Sequence, residues 1–175
     1  MIIYKDAVTG DELFSDTYPM KLIHDCIFEV QGKYTTEKTT VSDDMFGGNA
    51  SAEGGDDTAD GDITKSGIDI IIANRLVDVP FSKKQYQKYI KEYMKEICTR
   101  LEESNPDRVA QFKKQAAGAV KSILENWDKR EYQFWVGESY NVDQGHVALM
   151  YYPEDGDGLS PILLFFKDGL KEEKV

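Results

Sequence analysis

Short apolar segments separated by turn residues fill both ends of the chain and predict β-strands there. Turn formers such as Gly10-Asp11, Gly32 and Asp168-Gly169 bound most of these segments. The predicted strand segments are 2–4, 20–23, 27–30, 68–73, 132–136, 146–152 and 162–166. Loops of about ten residues join the last three, which leaves no room for crossover helices. We therefore expect these three to form an antiparallel meander.

The middle of the chain has the three- and four-residue spacing of amphipathic helices. Ser82 and Gln85 match a capping box, which predicts a helix start at Ser82 and an end near Ser104. The apolar face of this helix is Tyr86, Tyr89, Ile90, Tyr93, Met94, Ile97 and Leu101. Asn105-Pro106 then predicts a second helix, with Asn105 as its N-cap and Pro106 at its first position. Its apolar face is Val109, Phe112, Ala116, Ala119, Val120, Ile123, Leu124 and Trp127.

Because the connection between these helices is very short, we expect an antiparallel helical hairpin over residues 82–128. Residues 37–66 contrast with it, since they hold eight acidic residues, five glycines and almost no large apolar side chains. Such a segment cannot bury enough surface to offset its ordering entropy, so we predict a long mobile acidic loop. The expected fold is a single α+β domain over 1–175, with a largely antiparallel β core, a projecting hairpin and this loop.

Charge is distributed unevenly along the chain. The 175 residues carry a net charge of −11, yet residues 81–130 carry +5 and the remainder −16. The lysines concentrate on the first half of the first predicted helix, at Lys83, Lys84, Lys88, Lys91 and Lys95. Such a face is usually the solvated side of an amphipathic helix, but on an anionic protein it can also bind acidic protein surfaces. The overall charge disfavours nucleic acid and anionic membranes as partners.

No residue pattern indicates catalysis. Cys26 and Cys98 form no CxxC pair, and His24 and His146 have no partners at catalytic spacing, so we interpret them as ordinary strand histidines. We predict no catalytic residues and no required cofactor. No signal peptide is recognisable and no apolar run is long enough to cross a bilayer, so we expect a cytoplasmic protein.

A weak calcium site is the one metal hypothesis that the residues support. Asp56, Asp57 and Asp60 with Gly61 fit the start of an EF-hand loop, and Asp62 adds a carboxylate. However, the third loop position is Thr58 and the twelfth is Gly67 in place of Glu. We therefore expect either weak calcium binding by these aspartates or a solvated acidic linker.

Several motifs together resemble the translationally controlled tumour protein family. They are the opening MIIYKD, Asp11-Glu12, the GGNASAEG of 47–54, the helix run 81–103 and the FFKDGL of 165–170. The resemblance covers essentially the whole chain. It implies a β-tent core with a helical hairpin and a flexible acidic loop, in an abundant cytosolic protein with nuclear or secreted fractions. It also implies binding of calcium, tubulin and microtubules, elongation factor 1A, a Rheb-like small GTPase and apoptosis regulators.

The same resemblance implies a role for Glu12, because the acidic residue in this early turn is the one proposed to contact Rheb. Val175 replaces a terminal cysteine and Met45 replaces a phosphorylatable serine of many animal members, so we expect a monomer without that phosphorylation. We predict a non-enzymatic regulatory adaptor with growth and anti-apoptotic roles. The alternatives are a guanine nucleotide exchange factor for Rheb and, more weakly, a calcium buffer.

Overall fold

The computed structural model describes residues 1–40 and 62–175. The strands are β1 (Ile2–Asp6), β2 (Glu12–Ser15), β3 (Met20–Ile23), β4 (Ile27–Gln31), β5 (Tyr34–Thr40), β6 (Asp62–Ile68), β7 (Val77–Val79), β8 (Gln133–Val136), β9 (Ala148–Tyr151), β10 (Ile162–Phe166) and β11 (Leu170–Lys174). The helices are α1 (Asp69–Asn74), α2 (Lys83–Ser104), α3 (Val109–Glu125) and α4 (Trp127–Arg130). Two short 3-10 turns cover Pro106–Arg108 and Lys167–Gly169.

The core is a six-stranded antiparallel sheet in the order β3-β4-β10-β9-β8-β7. Beside it lie a three-stranded sheet, β11-β1-β2, and a separate two-stranded sheet, β5-β6. The predicted meander is confirmed, because β8, β9 and β10 are adjacent and antiparallel. The α+β class and the mostly antiparallel core are confirmed with it.

The central strands bury both of their faces. On β10, Leu164 and Phe166 join a cluster formed with the helices, whereas Leu163 and Phe165 join a cluster formed with the three-stranded sheet. Successive side chains on a strand point to opposite faces, so the two clusters lie on opposite faces of the six-stranded sheet. The helices therefore cover one face, and the three-stranded sheet with α1 covers the other.

The start of α2 is confirmed, and Pro106 does open the second helical segment, but as a 3-10 turn and without the predicted Asn105 side-chain cap. Ser82 accepts from the Gln85 amide, and the Gln85 side chain accepts from the Ser82 amide, at 3.2 and 2.9 Å. Asn105 makes no side-chain cap; its amide donates to Leu101 and its carbonyl accepts from the Arg108 amide. Its backbone therefore ends α2 and closes the Pro106–Arg108 turn, and α3 begins only at Val109. Trp127 lies on the separate helix α4.

The predicted strand over 68–73 is also wrong, because residues 69–74 form α1. The Asp69 carboxylate accepts from the amides of Ile70 and Lys33, at 2.8 and 2.9 Å, and so holds the start of the helix against β5. Arg75 ends the helix in the left-handed region, with φ of 55°. In a short run of apolar residues, the hydrophobic pattern does not distinguish a strand from a buried helix. The sequence prediction was wrong here for that reason.

The boundaries of the predicted acidic loop need correction as well. β5 and β6 pair without a break from Tyr34 opposite Ile68 to Thr40 opposite Asp62. Residues 37–40 and 62–66 are therefore strand and not loop. The threonines of β5 favour this extended conformation despite the polar composition. The rest of the predicted loop lies outside the described residues.

Arg108 fastens the helical hairpin to the β core. Its guanidinium donates to both carboxylate oxygens of Asp168, at 3.1 and 3.0 Å, and to the carbonyl of Asp25 at 3.3 Å. It also lies 5.9 Å from the ring centre of Phe112. The Asp168 side chain is only 9% exposed, so loss of its partner would leave a nearly buried carboxylate unpaired.

We predict that Arg108→Gln destabilises the fold by about 1–3 kcal/mol, because it leaves the Asp168 charge uncompensated. Arg75→Gln is the matched control, since Arg75 pairs with Glu138 where both side chains are about 60% exposed, and exposed pairs contribute little. Urea unfolding at neutral pH measures both variants. Equal losses in the two variants would contradict a fastening role for Arg108.

Candidate functional site

Glu12 lies at the first residue of β2, an outer strand of the three-stranded sheet. Among the residues that the structure describes, no group donates a hydrogen bond to the Glu12 carboxylate. Nearby, the Arg75 guanidinium donates to Glu138 at 2.9 Å. Glu138, and to a smaller degree Glu12, raise the pKa of Arg75, which places Glu12 within electrostatic reach. We call Glu12, Arg75 and Glu138 the Glu12 surface.

The neighbouring carboxylate, Asp11, has a structural role instead. Its Oδ2 atom accepts from the Ser139 hydroxyl at 2.6 Å and from the Ser139 amide at 3.2 Å. A Cβ at Gly137 would collide with the Asp11 side chain, so this contact requires glycine there. Asp11 thereby joins the turn before β2 to the segment that carries Glu138 and holds the Glu12 surface in place.

The sequence indicated Glu12 as a candidate but gave no sign of Arg75 and Glu138 beside it. The two partners are 63 residues apart, and neither belongs to a local motif. The sharp end of α1 is what directs Arg75 toward Glu138. The resulting surface holds the exposed Glu138 and the half-buried Glu12 beside one guanidinium, with Lys5 opposite Glu12 in the β1–β2 pairing. The two carboxylates suit lysine or arginine side chains of a partner, or a partner's bound metal ion.

A second surface lies on α2. The predicted basic residues Lys83, Lys84, Lys88, Lys91 and Lys95 are all exposed there. The last four recur at steps of four, three and four, so they form one line along the helix, which we call the lysine stripe. None of them forms an ion pair with a carboxylate among the described residues. No carboxylate of the described residues therefore neutralises their charges.

The described residues give no support to a metal site or a reactive thiol. Asp56, Asp57 and Asp60 lie outside the described residues, and Asp62 opens β6. Residues 1–40 and 62–175 contain no group of three His, Cys, Asp or Glu side chains suited to a metal. Weak calcium binding therefore stays a prediction. Burial raises the pKa of the Cys26 thiol to about 11, so Cys26 is not a reactive thiolate at neutral pH.

Neither histidine is an ordinary strand residue, which corrects the sequence interpretation. His24 lies in an exposed turn with φ of 52°. His146 is buried just before β9; its Nε2 accepts from the Phe166 amide at 3.0 Å, and its Nδ1 lies 2.9 Å from the Tyr93 hydroxyl. The His146 amide donates to the Asp6 carboxylate at 2.8 Å. His146 thus joins α2, β1 and β10 at one buried point.

These features define a mixed α+β protein whose antiparallel core carries a cationic helical hairpin on one side and an acidic surface on the other. Within residues 1–40 and 62–175 no helix has the length and apolar character needed to cross a membrane. The family model described as "Translationally controlled tumour protein" matches residues 1–171. The chain belongs to this family, as its sequence motifs predicted.

Relatives and solved structures agree with this membership. A homologue from Branchiostoma belcheri is 47% identical over 99% of both chains, and the Homo sapiens protein is 44% identical over the same shares. The structure of p23fyp from Schizosaccharomyces pombe has 43% identity and a TM-score of 0.77, with all of both chains covered. The Caenorhabditis elegans structure has 35% identity and a TM-score of 0.69, covering 100% of this chain and 99% of that one.

The buried His146 predicts loss of stability in mild acid. Burial lowers its pKa below the ordinary 6.5, although the Asp6 charge and the Gly169 carbonyl oppose this effect. Below pH 6.5 the unfolded chain therefore binds a proton that the folded protein excludes, and a proton on Nε2 would also face the Phe166 amide. The free energy of unfolding should fall with pH below 6.5, by at most about 1.4 kcal/mol per pH unit for this group.

Urea unfolding from about pH 7.5 to about pH 5.5 measures this dependence across the ordinary titration range of histidine. His146→Gln should be less stable than the parent protein but lack this part of the slope. His24→Gln, at the exposed histidine, should keep the slope. A slope that persists in His146→Gln would show that other groups cause it.

Proposed function

We propose that this protein is a non-enzymatic regulatory adaptor that binds other proteins through the lysine stripe and the Glu12 surface. The observation that carries the proposal is the lysine stripe, a line of cations with no ion pair to any described carboxylate, on an element of net charge +5 attached to a body of −16. A local field of this sign attracts acidic partners even when the whole protein is anionic. Membership of the family supports the adaptor role.

Tubulin is the partner that we assign to the lysine stripe, since its tails are acidic and the family resemblance implies microtubule binding. Elongation factor 1A is a further candidate on the same resemblance. The stripe supplies four lysines on one side of a helix of about 33 Å, so an extended acidic tail can contact several of them at once. Contacts of this kind are screened by salt.

The triple variant Lys84→Glu/Lys88→Glu/Lys95→Glu should weaken binding of an acidic tubulin-tail peptide on the order of tenfold or more, because it reverses the field along the stripe. Raising the salt from about 50 to about 250 mM should weaken binding to the unmodified protein sharply. Fluorescence anisotropy with the full chain measures both effects.

The matched control for charge is Lys33→Glu/Lys167→Glu/Lys171→Glu, which makes the same change at exposed lysines outside the hairpin. It should retain most of the binding. An affinity that does not change with salt concentration would argue against the lysine stripe as the site. Equal losses of affinity in the two triple variants would do the same.

A Rheb-like small GTPase is the partner that we assign to the Glu12 surface. The motivation is the family resemblance. The support from the structure is the Glu12 carboxylate, which lies at a sheet edge and accepts no hydrogen bond from the described residues. The Asp11 contact to Ser139 holds this edge in place. The second candidate function, nucleotide exchange on this GTPase, uses the same carboxylate. The half-buried Glu12 can compete for a magnesium ion or repel a phosphate at the nucleotide site through the exposed part of its carboxylate.

Release of fluorescent GDP from purified Rheb separates these two functions. An adaptor binds Rheb without accelerating release, whereas an exchange factor accelerates it at substoichiometric concentration. In both cases we expect Glu12→Ala to weaken the interaction by about tenfold or more, the loss of one good charged contact. Glu154→Ala, at an exposed carboxylate elsewhere, is the control and should change nothing. Binding that Glu12→Ala leaves intact would remove this surface from the proposal.

The remaining parts of the proposal rest on the acidic composition and the family resemblance. They are weak calcium binding by Asp56, Asp57, Asp60 and Asp62, contacts with apoptosis regulators, growth and anti-apoptotic roles, and a monomeric cytoplasmic protein. Calcium buffering is the weakest alternative function. A calcium titration with a millimolar midpoint would argue against it, because cytosolic buffers bind calcium far more tightly.

A further inference from the structure

An open apolar groove runs between α2 and α3. One part, of about 350 Å³, has a floor that includes Ile90, Met94 and Phe112. A second part, of about 470 Å³, continues toward Lys83 and Glu125 and shares Val120 and Leu124 with the first. The start of α2 thus faces the end of α3, which confirms the predicted antiparallel hairpin.

The dimensions of the groove suit a third helix. It follows α2 from Lys83 to Cys98, which at 1.5 Å per residue is roughly 22 Å, or about four helical turns. On the α3 side the wall includes the small side chains of Ala116 and Ala117. Small residues let another backbone approach to the interaxial distance of packed helices, about 8–10 Å.

The groove is flanked by positive charge on both sides. Lys91 lines it on the α2 side, and Lys113 and Lys121 line it on the α3 side. The one carboxylate among its described lining residues, Glu125, lies at the Lys83 end. An occupant that complements this pattern presents apolar side chains to the floor and carboxylates to both flanks.

We propose that this groove binds an amphipathic acidic helix of a partner protein. Apolar side chains at i, i+4, i+7 and i+11 of that helix fill the groove, and flanking carboxylates pair with Lys91, Lys113 and Lys121. The inference rests on the proposed function, in which the hairpin binds acidic proteins. It adds that the groove recognises one class of partner as a folded helix, through the shape of the helix as well as its charge.

Two synthetic peptides of on the order of 15 residues, matched to the length of the groove, provide the test. The first carries leucines at helical spacing with glutamates on both flanks. The second has the same composition in scrambled order, so its charge is identical but it has no apolar face. We expect the first peptide to bind the full chain at least about tenfold more tightly than the second, by fluorescence anisotropy.

A substitution that fills the groove tests the location. Ala117→Trp places an indole in the groove, whereas Ala110→Trp makes the same change at an exposed position of α3 outside it. Binding of the amphipathic peptide should fall about tenfold or more in Ala117→Trp and stay unchanged in Ala110→Trp. Urea unfolding of both variants verifies that each one is folded.

Cys98 offers a readout that is independent of affinity. Its side chain lines the groove and is partly exposed, whereas the other thiol, Cys26, is fully buried. The amphipathic peptide should slow alkylation of Cys98 by a maleimide. The scrambled peptide should give no protection, because a contact through charge alone leaves the floor of the groove open.

The outcomes separate this inference from the proposed function. Equal binding of both peptides, unaffected by Ala117→Trp, would overturn the groove site. It would indicate a surface that binds acidic peptides through charge alone. Failure of both peptides while the tubulin tail still binds the lysine stripe would overturn it as well. Failure of all three ligands would overturn the proposed function of the hairpin together with the inference.

Discussion

The six-stranded sheet has to bury both of its faces, and the rest of the structure follows from that constraint. Leu163, Leu164, Phe165 and Phe166 are consecutive and all buried, so neither side of β10 can face water. The three-stranded sheet and α1 cover one face, and the hairpin covers the other. The inner side of the helical hairpin is buried in this core. A partner can therefore contact only its outer side, which carries the groove and the lysine stripe.

A buried polar junction fixes the hairpin in that position. Tyr89 donates to the Gly145 carbonyl at 2.6 Å, and Tyr93 lies against His146. Gly169 packs so closely on the Tyr93 hydroxyl that a Cβ there would overlap it. Polar groups in a low-dielectric interior tolerate little misplacement, so this junction specifies one orientation of α2. A surface held in a single orientation loses little entropy on binding, which favours recognition by α2.

The sequence predicted the elements whose signals are local, and it missed those that depend on distant partners. The Ser82 capping box and the three- and four-residue spacing after it are local, and α2 has the predicted start and end. The run at 68–73 failed because its deciding contact, from the Lys33 amide to the Asp69 carboxylate, joins residues that are 36 apart. The Asn105 cap is the exception, a local signal that failed because the Asn105 backbone closes a 3-10 turn with Arg108 in place of a side-chain cap. The Glu12 surface was half predictable, since Arg75 and Glu138 meet only in the fold.

The position of Lys91 couples the two proposed binding modes of the helical hairpin. It belongs to the lysine stripe and also lines the groove, so an acidic tail on the stripe and an acidic helix in the groove both need its charge. Partners of these two modes should therefore compete for the hairpin. A partner of the Glu12 surface escapes this competition, because β2 belongs to the layer that covers the opposite face of the six-stranded sheet. The proposed adaptor role uses this division, because an acidic and a basic surface on opposite sides of the sheet can be occupied together.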